Sequence, residues 1–230
     1  MTTWMNRVAA AALLAVALPA PAGAQEMMTY QMVFFRQGPN KDVPADKAKA
    51  LQDGHLAFLT KLNTERVNVI FGPFLDGGDL RGLAILDVPD AATARARLAD
   101  DPYVKAGHMA LEVKPWMGPR GWFQPPATPQ ALEQFVFGFL MRATPTATHT
   151  PEQVQEIQRG HLAYMDELHK QGKLVAAGPF ADSGDHRGIV IYRVATLDAA
   201  KALAAGDPAV MAGRLRIDAR PWMTVKGILK

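Results

Sequence analysis

The chain has 230 residues, 49% hydrophobic and 20% charged, which are ordinary values for a protein with a packed core. Its net charge of +3 is scattered rather than clustered, which argues against a nucleic-acid-binding face. No cysteine occurs, so disulfides, thiolate nucleophiles and thiolate metal sites are excluded.

Met1 to Arg7 carries one positive charge, and Val8 to Leu18 is an unbroken apolar run. Pro19-Ala20-Pro21 ends the run, and Ala22-Gly23-Ala24 supplies small residues for cleavage. Residues 1–24 therefore read as a signal peptide cut after Ala24, giving a periplasmic or secreted protein without further membrane contact. The run is short for a bilayer span, which needs ~20 apolar residues, so an uncleaved anchor is the less favoured alternative. Loss of Arg7 would leave a charge of +2.

Met28 to Arg36 is rich in β-branched and aromatic residues and predicts a strand. Ala45 to Glu65 predicts a helix: Ala48, Leu51, His55, Phe58, Leu59 and Leu62 fall at three- and four-residue steps on one face. Asn68 to Leu75 predicts a second strand, interrupted by Gly72. Asp76-Gly77-Gly78-Asp79 is a turn, and Gly82 to Val88 a third strand. Asp90 predicts an N-cap for a helix over Ala91 to Ala99, Asp101-Pro102 starts one more turn, and Met109 to Trp116 is the last strand. This β-α-β-β-α-β order is ferredoxin-like: a four-stranded antiparallel sheet with helices on one face.

The order is then repeated, with strands over Phe135 to Arg142, Leu174 to Phe180, Gly188 to Val194 and Arg214 to Trp222. The helices are Pro151 to Gln171, capped by Thr150 and ended by Gly172, and Leu197 to Ala205. Gly54-His55-Leu56-Ala57 recurs as Gly160-His161-Leu162-Ala163, Gly72-Pro73-Phe74 as Gly178-Pro179-Phe180, and Pro115-Trp116 as Pro221-Trp222. Each pair is 106 residues apart, so this is a duplicated domain without insertions across the matched stretch. The boundaries read as unit 1 over 25–117, a Pro/Gly-rich linker over 118–133 with Trp122 and Phe123 docking on a unit, and unit 2 over 134–230. Helices on one face leave each sheet's other face bare, and two bare faces packed together solve that problem. The expected fold is α+β: two tandem ferredoxin-like units closing into an intramolecular pseudo-dimeric barrel, with a histidine-lined hollow in each half.

The succession His-Leu-Ala-(Phe/Tyr), Gly-Pro-Phe, Asp-x-Gly-Asp-x-Arg-Gly, Asp-Pro and Pro-Trp resembles the YCII-related family of the dimeric α+β barrel superfamily; the second copy writes Asp182-Ser183-Gly184-Asp185. The resemblance implies a ferredoxin-like subunit, a two-subunit barrel, and a His and an Asp acting together in a cleft. It also implies metal-free proton-transfer chemistry on small ring compounds, as in relatives of the wider superfamily. Tandem fusion and the leader depart from the usual member.

His55 and His161 are the candidate acid–base groups, because imidazole titrates near neutral pH. The alternative is a core histidine satisfied by a backbone carbonyl. Asp79 and Asp185 are the expected orienting partners, with Asp76 and Asp182 as competitors and a hairpin ion pair with Arg81 or Arg187 as the other reading. Arg81 and Arg187 are candidate clamps for a substrate carboxylate, and Gly72 and Gly178 candidate space for a ligand. Asp101 and Asp207 read as helix caps, and Trp116 and Trp222 as packing. His108, His149, His169 and His186 lack a histidine counterpart and read as surface. No metal-ligand spacing and no phosphate-cradling loop occurs, so neither metal nor cofactor is expected. The functional expectation is a cofactor-independent lyase or isomerase acting on a small organic acid or ring compound, with a homo-oligomer possible. The alternative is a non-catalytic periplasmic module that binds a small ligand.

Overall fold

The computed structural model describes residues 26–124, 131–182 and 184–229. The expected leader, 1–24, and part of the expected linker lie outside the described residues. Unit 1 runs β1 (Met27–Gln37), α1 (Ala45–Thr64), β2 (Asn68–Pro73), β3 (Leu80–Leu86), α2 (Ala91–Leu98), α3 (Pro102–Lys105) and β4 (Met109–Pro119). Unit 2 runs β5 (Leu132–Arg142), α4 (Pro151–Lys170), β6 (Leu174–Pro179), β7 (His186–Tyr192), α5 (Leu197–Ala205), α6 (Pro208–Met211) and β8 (Leu215–Val225). The two antiparallel sheets have orders β2-β3-β1-β4 and β6-β7-β5-β8, which is the ferredoxin-like arrangement twice over.

Local signals set the helix starts. Thr150 and Gln153 form a reciprocal capping box, with Pro151 inside the first turn. Asp90 accepts from the Thr93 amide at 2.7 Å. Gly172 takes φ +69° just beyond α4.

Each strand alternates between two layers. One face of β1 sends Val33 and Phe35 toward Leu59 and Leu62 of α1. The other sends Met32 and Phe34 into a core shared with Phe137, Phe139, Phe180 and Ile191 of unit 2. The sheets therefore pack face to face, and helices cover the outside.

The halves also join edge to edge, twice, about a pseudo-twofold axis. The Leu75 amide donates to the Pro221 carbonyl at 2.9 Å, and Ala181 to Pro115 at 2.9 Å. Trp222 Nε1 donates to the Gly72 carbonyl and Trp116 Nε1 to the Gly178 carbonyl, each at 3.1 Å. Both indoles are fully buried. A β-carbon on Gly72 would lie 1.7 Å from the Met223 carbonyl oxygen, and one on Gly178 1.9 Å from that of Met117. These glycines, expected to leave room for a ligand, instead admit the other unit's backbone. The barrel interior is filled with aromatic side chains, so the expected hollows do not lie within it.

The linker docks on both halves. Trp122 stacks on His169 of α4, with ring centroids 5.6 Å apart and planes 9° apart. Phe123 packs edge-on against Tyr30 and pairs with Leu229 at the opposite tail.

Candidate active site

Gly54 precedes His55 in α1, and a β-carbon there would sit 3.0 Å from the Pro102 ring; Gly160 stands at 3.1 Å from Pro208. The missing side chain lets the short helices α3 and α6 lie against the long ones, bringing Asp101 beside His55 and Asp207 beside His161. The contacts are short: His55 Nδ1 to Asp101 Oδ2 is 2.6 Å, and His161 Nδ1 to Asp207 Oδ2 is 2.7 Å. The carboxylates are buried, and the imidazoles are 13% and 14% exposed. Each aspartate also accepts backbone amides on its other oxygen: Tyr103 at 2.9 Å for Asp101, and Ala209 at 2.8 Å for Asp207. The capping expected of Asp101 and Asp207 is therefore real but occupies only half of each carboxylate.

This geometry fixes the tautomer. Nδ1–H donates to the carboxylate, leaving Nε2 as the lone-pair nitrogen, with no protein partner among the described residues. Nearby phenols register the buried negative charge. Burial, and then Asp101, raises the Tyr103 hydroxyl above its ordinary pKa. Burial, and then Asp207, does the same for Tyr164.

The expected partners lie elsewhere. Asp79 is exposed and pairs with Arg36 at 3.1 Å, because it sits at the sheet's end rather than beneath α1. Asp185 is likewise exposed, its carbonyl accepting from the Arg142 amide. Arg81 donates to Gln37 Oε1 at 3.0 Å rather than to Asp79. Asp76 and Asp182 brace the barrel, pairing with Arg220 at 2.7 Å and Lys114 at 2.6 Å across the halves. Their hairpin position explains this: each turn projects past its own sheet toward the opposite unit. His186 is not a surface residue either; its ring packs 5.0 Å from Phe139. The signal that could have found Asp101 and Asp207 is their recurrence 46 residues after each histidine.

A groove of about 870 Å³ opens on unit 2, beside α4 and strands β6, β7 and β5. His161, Met165, Arg187, Arg142 and Arg214 line it, together with Trp122 from the linker. Among the described residues no group of three or more His, Cys, Asp or Glu side chains is placed to hold a metal ion. No helix among them is long and apolar enough to cross a membrane.

Solved structures share the architecture at low identity. A candidate chlorite dismutase has a TM-score of 0.56 at 11% identity, covering 86% of this chain and 94% of its own. A haem-binding protein from Thermus thermophilus has 0.54 at 11%, covering 87% and 92%. A candidate monooxygenase from Fusobacterium nucleatum has 0.52 at 10%, covering 86% and 93%. At these identities the likeness is one of fold. No curated protein matches the chain. The profile of the YCII-related domain matches residues 30–117 and again 136–222, most of the sequence, and the chain therefore belongs to the YCII-related family.

Proposed function

We propose that the protein is an acid–base enzyme, a lyase or isomerase that moves a proton on a small organic acid or ring compound. The observation that carries this reading is the His–Asp pair, built twice with the same atoms in contact and one imidazole nitrogen left over. Neutral Nε2 takes a proton from an acidic C–H of the substrate, and the electron pair stays on the substrate as an enolate. The buried aspartate stabilises the imidazolium so formed. In an isomerisation the same nitrogen returns the proton to another carbon. In an elimination the electron pair expels a leaving group from the neighbouring carbon. Such a positioned group contributes roughly 10²–10⁴-fold.

The test is solvent exchange. A panel of 2-oxo acids and unsaturated lactones in D₂O, followed by NMR, should lose C–H signal faster with the enzyme than in buffer. The double variant His55→Gln, His161→Gln should abolish the excess while circular dichroism stays unchanged. Exchange that survives in the folded double variant sinks the acid–base role. Ligand binding with no exchange in the wild type would favour a binding module instead.

Export belongs to the same proposal and rests on the apolar run before Ala24. Intact mass of the protein from a fractionated host should show a chain beginning at Gln25; a full-length product would refute cleavage.

A further inference from the structure

The two dyads match, but their surroundings have diverged in one direction. His55 is hemmed in by Phe35 and Tyr103, with ring centroids 5.4 and 5.2 Å away. The sheet registers align β1 with β5 at an offset of 105 residues, so Phe35 corresponds to Leu140. At the offset of 106 that holds from the long helix onward, Tyr103 becomes Ala209 and Phe71 becomes Ala177. Leu140, Ala209 and Ala177 all line the groove. The groove beside His161 is thus lined at three positions by smaller side chains than unit 1 has there.

The charges have diverged as well. In unit 1 the Arg81 guanidinium is met by Gln37. The residue in register with Gln37 is Arg142, so a cation replaces the acceptor beside Arg187. The β5–β7 register steps from Gly188 to His186, which leaves Arg187 on a bulge, as Arg81 is in unit 1. A bulge re-aims a side chain, here toward the groove. His108, which bonds the Asn40 carbonyl at 2.6 Å, is replaced by Arg214, again on the groove. None of the three guanidinium groups has a protein acceptor among the described residues. Among the described residues the one side-chain carboxylate of the groove, Asp166, is taken by Lys170 at 2.6 Å.

Topology puts the arginines together. Arg142 ends β5, Arg187 lies at the start of β7, and Arg214 precedes β8, all at one end of the sheet. The opposite end holds Leu174, His169 and Trp122. Six strand positions separate these ends, about 20 Å. His161 lies between them.

Resting on the acid–base reading of this site, we infer that unit 2 carries the working centre and takes an amphipathic carboxylate. Arg142, Arg187 and Arg214 hold the carboxylate, Trp122 and Met165 hold the apolar body, and His161 faces its middle. Three guanidinium groups gathered at one end of the groove attract an anion, and planar guanidinium forks match a carboxylate. Unit 1 keeps the dyad as structure.

The probes are straight-chain and aryl monocarboxylates of six to twelve carbons and the matching primary amides, titrated against the full chain by tryptophan emission and calorimetry. The acids should bind at least tenfold more tightly than their amides. The Arg142→Gln, Arg187→Gln pair should weaken acid binding at least tenfold. Arg36→Gln, whose guanidinium belongs to Asp79 and Glu112, should change it less than twofold. Without ligand, Arg142→Gln should raise Tm by about 1–2 °C at low salt, because it removes a like-charge neighbour and restores unit 1's pairing. His161→Gln should keep binding and lose exchange. Equal binding of acid and amide, no binding by any acid, or binding unmoved in the double arginine variant overturns the inference. Binding as described without exchange overturns only the acid–base reading.

Discussion

At the scale of single residues, Asp101 and Asp207 divide their two oxygens between a helix start and a histidine. Asn at 207 can still accept the backbone amide, but its amide group donates to Nδ1 and moves the ring proton to Nε2. Asp207→Asn should therefore cost about 1 kcal/mol in urea unfolding yet lower exchange by ~10²-fold or more. Asp207→Ala also loses the cap, a further ~1 kcal/mol. His186 offers a separate test. Burial, and then the Lys114 charge, lowers its pKa. The unfolded chain thus binds the proton more readily, and stability falls as pH drops below the ordinary histidine value of ~6.5 toward the folded one. His186→Leu, the residue unit 1 has as Leu80, should lessen the Tm difference between pH 7.5 and pH 5. The histidines of the dyads were legible in the sequence because duplication repeats them on an apolar face. Their partners were not, because capping already explained Asp101 and Asp207, and spatial adjacency over 46 residues depends on how α3 lies against α1.

At the scale of elements, the periodicities of 2 and 3.6 were enough for the strands and long helices, and turn chemistry for their ends. The meaning of Gly72 and Gly178 was not decidable in the same way. A glycine within a strand admits either a ligand or another backbone, and only the crossing of β8 past β2, and β4 past β6, settles which. Gly72→Ala should destabilise the protein by about 3 kcal/mol in denaturant titrations, since the Met223 carbonyl cannot yield without parting the sheets. The loop between β5 and α4 is one residue longer than that between β1 and α1. This difference hides in the sequence because the landmarks that reveal the repeat begin only at Gly54. It matters because the alignment of Arg142 with Gln37 rests on it.

At the scale of the molecule, the pseudo-twofold barrel followed from a simple need: each sheet has a second apolar face to cover. The aromatic core, the paired indole bonds and the Lys114–Asp182 and Arg220–Asp76 bridges all cross between the halves. A protease site placed within residues 125–130 should accordingly yield two fragments that still co-elute on size exclusion in the absence of denaturant. Separate elution would show that the connection, rather than the interface, holds the halves together. One further consequence comes from Met27, Pro119 and Trp122, residues of the first half and its tail that form part of the groove on the second. A guest lodged there touches both halves, so occupancy and integrity are a single equilibrium. Saturating guest should make the halves harder to pull apart, and any change that loosens the seam should weaken the guest's hold, even from the far side of the barrel.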